Sequence, residues 1–262
     1  MTIKSVSSPA RVASRYLKLA ARPIPIDKDG LKRVIHQGLV PDIRKWLSRR
    51  PDQNEPIGLA HNIAQASFIV EDSDQRDSRR VMITVNSRPS NAKGVAVLAG
   101  SSNREAGDID LYMNGALSPA DFLVPTKWND RMAPLWECTH ETCLPFGLYS
   151  LLLHEVTHSA DVSKAPLRYS PREVLERGEA VWGGYVNDPQ EVRALMQEVV
   201  DAAERMATKL RTDFKSNQQL VNTVLMLTTT WGVVEKHLRP QGKARILRAV
   251  YEMLDRMGLL VE

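Results

Sequence analysis

The feature that most constrains this chain is a histidine pair, His154 and His158, within an otherwise apolar segment. The apolar positions of residues 145–162 recur with helical spacing, which predicts one buried helix. Residues four apart on a helix lie on one face, about 6 Å apart along the axis. Glu155 is rotated about 100° from His154. The two imidazoles can therefore share one metal ion, while the carboxylate between them faces a different direction.

Two imidazoles at this spacing suit Zn²⁺, which binds histidine nitrogens at about 2 Å in tetrahedral geometry. Zn²⁺ lowers the pKa of a bound water toward neutrality, and a carboxylate beside it can take the proton. Glu155 is placed for this general-base role. The chain has only 6 histidines in 262 residues, so a chance pairing with a glutamate in this pattern is rare. The alternative is a coincidental histidine pair on a helix surface.

Zinc needs at least one more protein ligand, and two carboxylates are candidates. Asp161 shares the histidine face, but a straight helix places it about 10 Å along the axis from His154. We therefore expect Asp161 to orient an imidazole through its other nitrogen, or to cap the helix. Glu191 lies in the first turn of a helix that Asp188 and Pro189 are predicted to open. Glu191 is the better ligand, although a glutamate there could equally stabilise the helix N-terminus.

The histidine pair with a glutamate on a downstream helix resembles the gluzincin group of zincin peptidases. The local sequence YVNDPQEVRA is similar to a segment that recurs in uncharacterised, often phage-encoded, proteins with the same motif. The resemblance covers residues 145–205. It implies that the two histidines and Glu191 bind zinc, and that Glu155 is the general base of peptide-bond hydrolysis. One departure is that no aspartate follows Glu191 by four residues, as it does in the fuller gluzincin pattern.

A peptidase also needs a donor that stabilises the developing oxyanion near the metal. Tyr185 is the first candidate and His237 the second. The alternatives are packing in a loop for Tyr185 and a cation at a helix C-terminus for His237. The resemblance further implies that an extended substrate lies against a strand edge at residues 108–113, where main-chain pairing would supply affinity.

Along the chain, helical patterns come first, short strands rich in β-branched residues follow, and helices return. The predicted helices cover residues 8–21, 27–39, 41–49, 145–162, 189–214, 217–237 and 241–257. The predicted strands cover residues 66–71, 80–86, 94–98 and 108–113. This order predicts an α+β, zincin-like fold in which a small antiparallel or mixed sheet precedes the active-site helix and a helical C-terminal half. We assign residues 1–62 to an N-terminal helical region and 63–262 to the catalytic domain, together forming one globular unit.

Composition narrows the classes of function. The net charge is +4 and the basic runs are only pairs, which favours solvated surface over a nucleic-acid site. No apolar stretch approaches the roughly 20 residues that span a bilayer. No N-terminal apolar region indicates a signal peptide, and the acid-free first 26 residues are more typical of an amphipathic helix than of a transit peptide.

Two cysteines, Cys138 and Cys143, are too few for a disulfide scaffold. With His140 they could bind a structural metal, but a fourth ligand is not evident. We favour a loop before the helix, with or without one local disulfide.

The sequence therefore predicts a zinc endopeptidase, rather than an exopeptidase, that acts on a protein or peptide substrate. We expect it in the cytoplasm or associated with a virion, with protein partners docking on the N- and C-terminal helices. The second hypothesis is a non-catalytic zincin-fold scaffold, for example a component of a viral particle. The third and weakest is a nucleic-acid binder.

Overall fold

In a computed structural model of this chain, the structure describes residues 24–49, 52, 54–71, 78–90, 97–102, 108–124, 141–161, 179–210 and 214–260. The helix predicted at residues 8–21 lies outside these ranges, as do Cys138 and His140. The order of elements is helices, four strands and then helices, so the predicted α+β class is confirmed.

The first helical segment is continuous, whereas the sequence predicted two separate helices in this region. Helix α1 (Lys28–Arg33) begins after Asp27, whose carboxylate accepts a hydrogen bond of 2.8 Å from the backbone N–H of Gly30. A π-helical stretch (Val34–Leu39) follows and leads directly into helix α2 (Val40–Ser48). Proline lacks an N–H and its ring crowds the preceding turn, and a wider π turn before Pro41 relieves both constraints. Pro41 lies in the first turn of α2, as predicted, but the helical backbone is continuous from residue 28 to residue 48, without the gap expected before Pro41.

The sheet is mixed, as predicted, and contains strands β1 (Ala60–Glu71), β2 (Ser78–Arg88), β3 (Val97–Ser102) and β4 (Ile109–Asn114). The spatial order is β1-β2-β4-β3. β1 pairs antiparallel with β2, β2 parallel with β4, and β3 antiparallel with β4. The first two strands are longer than predicted, and β3 extends four residues beyond the strand predicted at residues 94–98, of which residues 94–96 lie outside the described ranges.

β4 lies inside the sheet and not at its edge. It pairs with β2 over residues 109–114 and with β3 from the other side. The alternation seen in the sequence is real, because Ile109, Leu111 and Met113 are fully buried. However, a strand paired on both sides has no free edge for a substrate, so the substrate edge predicted at residues 108–113 is wrong.

One apolar core joins the N-terminal helices, the sheet and the next helix, α3 (Cys143–Ala160). Leu31, Ile35 and Ile43 from the first helical segment are fully buried in it. β1 begins at Ala60, so the proposed domain boundary at residue 62 falls within a strand. The N-terminal helices and the sheet therefore share one core.

The C-terminal half is helical. Its helices are α4 (Glu179–Tyr185), α5 (Pro189–Lys209), α6 (Asn217–Met226), α7 (Thr229–Val234) and α8 (Pro240–Arg256), with a short 3-10 turn at Glu235–His237. Helices α5 to α8 enclose a second apolar core. Within the described residues, no helix is both long and apolar enough to cross a membrane.

The single helix predicted at residues 217–237 is interrupted at Thr228. The backbone of Thr228 is extended, with ψ 107°, and the Thr228 hydroxyl donates a hydrogen bond of 3.0 Å to the carbonyl of Val224. Threonine side chains compete for backbone groups in this way, and three β-branched threonines follow one another here. Helix α8 closely matches its prediction, whereas α4 was not predicted and α5 ends five residues early.

Candidate metal centre

The histidine motif lies on α3, as predicted. Fifteen of the eighteen residues of this helix are buried, so it runs through the interior between the sheet and α5. His154 and His158 retain side-chain exposures of only 13% and 11%. The two imidazoles are therefore held at a largely enclosed position.

Helix α5 supplies the facing side of the site. It begins where predicted, with Asp188 in extended conformation and Pro189 in the first turn. His158, near the C-terminus of α3, lies close to Glu191 in the first turn of α5. Tyr149, nearer the N-terminus of α3, forms a hydrogen bond with Asp201 further along α5. The pair is therefore antiparallel, and its interface is lined by polar and charged side chains.

Three side chains converge at the centre of this interface. The Nε2 atoms of His154 and His158 are 3.0 Å apart. Glu191 places Oε2 at 3.3 Å from Nε2 of His154 and Oε1 at 3.1 Å from Nε2 of His158. These three residues are the group of possible metal ligands that the described part of the chain brings together. The structure thus brings together the three side chains that the sequence predicted as metal ligands.

The donor set fits a cation such as Zn²⁺. Glu191 is only 1% exposed, and neither of its carboxylate oxygens accepts a well-formed hydrogen bond from the described residues. Burying a carboxylate without a partner is costly. Ligands at about 2.0–2.1 Å from a tetrahedral ion lie about 3.3 Å from one another, close to the observed separations. A cation between the three side chains would compensate the buried charge.

Charge at this site alters the titration of its members. Burial alone would raise the pKa of Glu191, but the neighbouring imidazoles of His158 and His154 hold it well below its usual value. Burial would lower the pKa of His154, yet the carboxylates of Glu198 and Glu191 raise it well above its usual value. The neighbouring charges thus shift the pKa values of Glu191 and His154 in opposite directions.

Glu198 is the residue that sequence reasoning missed. Its Oε1 forms a short hydrogen bond with Nδ1 of His154, and its Oε2 accepts one of 3.3 Å from the hydroxyl of Thr230 on α7. Glu198 follows Glu191 by seven residues, which places both on the same face of α5 two turns apart. That spacing was the available signal, because metal-bound histidines usually donate their other nitrogen to a carboxylate.

Glu155 lies beside the ligand group and is itself buried, with 6% exposure. Burial raises the pKa of its carboxyl, and the charges of His154 and His158 partly oppose that shift. A carboxylate that binds its proton more tightly is a stronger base.

Asp161 is placed at the C-terminus of α3, where it forms a buried ion pair with Arg193 of α5. The hydrogen bond from the guanidinium to Asp161 is short. The contact that the structure shows for the Asp161 carboxylate is thus with a cation of the partner helix.

The two predicted oxyanion donors lie in one aromatic cluster. Tyr185, at the end of α4, stacks on Trp182 with ring centroids 5.8 Å apart. His237 meets the other side of the cluster, with its ring centroid 6.4 Å from that of Trp182. This cluster packs against the C-terminal core. Cys143 is buried at the first residue of α3.

No protein-family model, no curated protein and no solved structure matches this chain.

Proposed function

We propose that this chain is a zinc-dependent peptidase with a zincin-like arrangement of sheet and active-site helix. The observation that carries the proposal is the convergence of His154, His158 and Glu191, whose ligand atoms all lie within 4.8 Å of one another. Two nitrogens and a carboxylate oxygen form the ligand set of catalytic zinc sites that retain an open position.

His154, His158 and Glu191 would hold the ion. When bound, Zn²⁺ would supply a Lewis acid and a water of lowered pKa. Glu155 would receive the proton of that water, since its buried carboxyl is adjacent to the ligands and binds protons more tightly than an exposed glutamate. Glu198 would keep His154 oriented, and Tyr185 is our first candidate for the oxyanion donor, ahead of His237.

The sheet offers an edge beside the helix. β3 is the outer strand at this side of the sheet and packs against α3. No other described strand pairs with its outer edge, where an extended peptide could add through main-chain hydrogen bonds. A chain bound in this way continues past the site in both directions, which favours an endopeptidase acting on proteins or peptides.

The test uses the full-length protein and two variants. Wild type should bind one zinc per chain and cleave an unfolded protein substrate, with products identified by mass spectrometry. Glu155→Gln should keep the zinc and lose at least about 10²-fold in rate, because general-base catalysis contributes that much. Glu204→Gln is the matched control, since this residue lies on α5 but pairs with Lys28 away from the site.

Two results would contradict the proposal. Cleavage by Glu155→Gln at the wild-type rate would remove Glu155 from the mechanism. Stoichiometric zinc without turnover of any substrate in a broad peptide library would instead indicate a metal-stabilised scaffold.

A further inference from the structure

A second polar site lies at the N-terminal end of α5, the helix that carries Glu191. A cavity of about 320 Å³ opens between the α4–α5 turn and the first turns of α8. Asn187 and Val192 belong to its first wall, and Arg239, Gly242 and Arg245 to its second. None of the three metal ligands lines it.

Two arginines, Arg239 and Arg245, line the cavity together with one acidic residue, Asp188. In the described part of the chain, neither Arg239 nor Arg245 forms an ion pair or a side-chain hydrogen bond. Asp188 also lines the cavity but pairs with neither of them. Two arginines therefore line one surface cavity, with Arg239 exposed and Arg245 half-buried, and neither has an acidic partner among the described residues.

The start of α8 adds to this positive charge. Arg239 occupies the N-cap position and makes no side-chain capping hydrogen bond. A cation at this end opposes the helix dipole, and serine, threonine, aspartate or asparagine is the usual choice. The first-turn N–H groups of Gln241 and Gly242 line the cavity and meet no acceptor among the described residues, although Gly242 is buried. Buried backbone donors nearly always have a partner.

The walls are fixed with respect to one another by Asn187. Its Nδ2 donates to the carbonyls of Gly183 and His237, at 2.6 and 2.7 Å. Its Oδ1 accepts a hydrogen bond of 2.7 Å from the N–H of Arg239. A single side chain thus ties the turn before α5 to the start of α8, which fixes the backbone on the two sides of the cavity relative to one another.

We propose that this cavity binds the phosphate group of a small phosphorylated molecule. Two arginines and two backbone N–H groups offer more donors than a carboxylate can accept, whereas a tetrahedral oxyanion suits arginine forks and helix N-termini together. A volume of about 320 Å³ exceeds the needs of a bare ion and lies at the lower end of small-molecule pockets. This inference does not depend on the metal centre or on peptidase activity.

The experiment titrates the full-length protein with inorganic phosphate and with glycerol phosphate at constant ionic strength, followed by calorimetry. Wild type should bind both saturably, with the ester bound more tightly. Arg239→Gln and Arg245→Gln should each weaken binding about tenfold, as expected for the loss of a charge-assisted hydrogen bond. Arg248→Gln is the matched control, because Arg248 is exposed on the same helix and does not line the cavity.

Several outcomes would overturn the proposal. Absence of saturable binding, or equal weakening by Arg248→Gln, would leave only general surface charge. Binding that survives both cavity variants and disappears in His154→Ala would place the phosphate at the metal centre. A single-stranded oligonucleotide that competes far more strongly than glycerol phosphate, with steep salt dependence, would indicate a nucleic-acid backbone as the ligand.

Discussion

Glu198 holds Nδ1 of His154 while Nε2 of the same ring faces Glu191 at 3.3 Å. An ionised carboxylate only accepts hydrogen bonds, so Nδ1 carries a proton. Nε2 is then the ring nitrogen that can donate its lone pair to a cation. Thr230 holds the second oxygen of Glu198 in turn, which connects the metal site to α7. The orientation of a metal ligand on α3 is thus set by two other helices.

This contact predicts a loss of metal affinity when Glu198 is removed. Glu198→Ala should weaken zinc binding by about 10–100-fold, the usual effect of losing a partner of a metal-bound histidine. Competition with a chromogenic chelator measures the affinity. Glu204→Ala, two turns further along the exposed side of α5, should keep it within a factor of two. Equal affinities for wild type and Glu198→Ala would mean that His154 is held by packing alone.

Metal removal should lower the stability of the protein. A ligand present at about a thousand times its Kd stabilises the folded state by about 4 kcal/mol. Chelation should therefore lower the Tm by several degrees, and zinc should restore it. Glu155→Gln should keep this zinc-dependent shift because Glu155 is not a ligand, whereas His158→Ala should lose it. Scanning calorimetry with and without chelator makes the comparison, and an identical shift in wild type and His158→Ala would contradict the assigned ligand set.

The convergence of the three candidate ligands was predictable from the sequence because its main information is local. Short stretches of sequence carry both signals: the helical spacing of His154 and His158, and the start of α5 at Asp188 and Pro189. The pairing of α3 with α5 then follows from one shared metal. Glu198 escaped because its partner is Nδ1 of a histidine on another helix, and only the three-dimensional contact shows which carboxylate reaches it.

The sheet shows the limit of the same reasoning. The pattern of Ile109, Leu111 and Met113 correctly indicates a strand with one buried face, but it does not show which strands pair with it on either side. The parallel pairing of β4 with β2 is non-local and left β3 at the edge. Likewise the sequence pattern did not show that a π-helical stretch joins the two predicted helices before Pro41, or that Thr228 interrupts the single helix predicted at residues 217–237.

The buried ion pair between Asp161 and Arg193 predicts that removing Asp161 lowers the stability of the protein. Both side chains are at least nine-tenths buried, so removal of the acid leaves an uncompensated charge. Asp161→Ala should lower the free energy of unfolding by about 3–5 kcal/mol. The double variant Asp161→Ala with Arg193→Met should lose less free energy of unfolding than the two single variants lose together. Urea denaturation measures all three losses.

The zinc affinity of the folded Asp161→Ala protein shows whether Asp161 only pairs with Arg193 or also orients an imidazole. A change within about twofold supports a structural ion pair. A loss as large as that of Glu198→Ala would instead show that Asp161 orients an imidazole, as the sequence suggested.

A buried network beyond the metal site predicts sensitivity to alkaline pH. The phenol of Tyr149 donates a hydrogen bond of 2.9 Å to Asp201, whose carboxylate also lies 2.8 Å from Nζ of Lys28. Burial and the charge of Asp201 raise the pKa of Tyr149 well above its usual value. Burial would lower the pKa of Lys28, but Asp201 and Glu204 raise it. Both groups therefore hold their protons more tightly in the folded protein than in the unfolded chain.

For groups with raised pKa values, the stabilisation is fully present below the unfolded pKa, about 10, and is lost as the pH rises through the folded pKa. The free energy of unfolding should thus fall from about pH 10 upward. Tyr149→Phe should reduce the steepness of that fall, measured by urea denaturation between pH 8 and about pH 11. The difference in absorbance at high pH between wild type and Tyr149→Phe isolates the ionisation of this phenol. It should appear only with unfolding, and ionisation of Tyr149 in the native protein near pH 10 would refute the network.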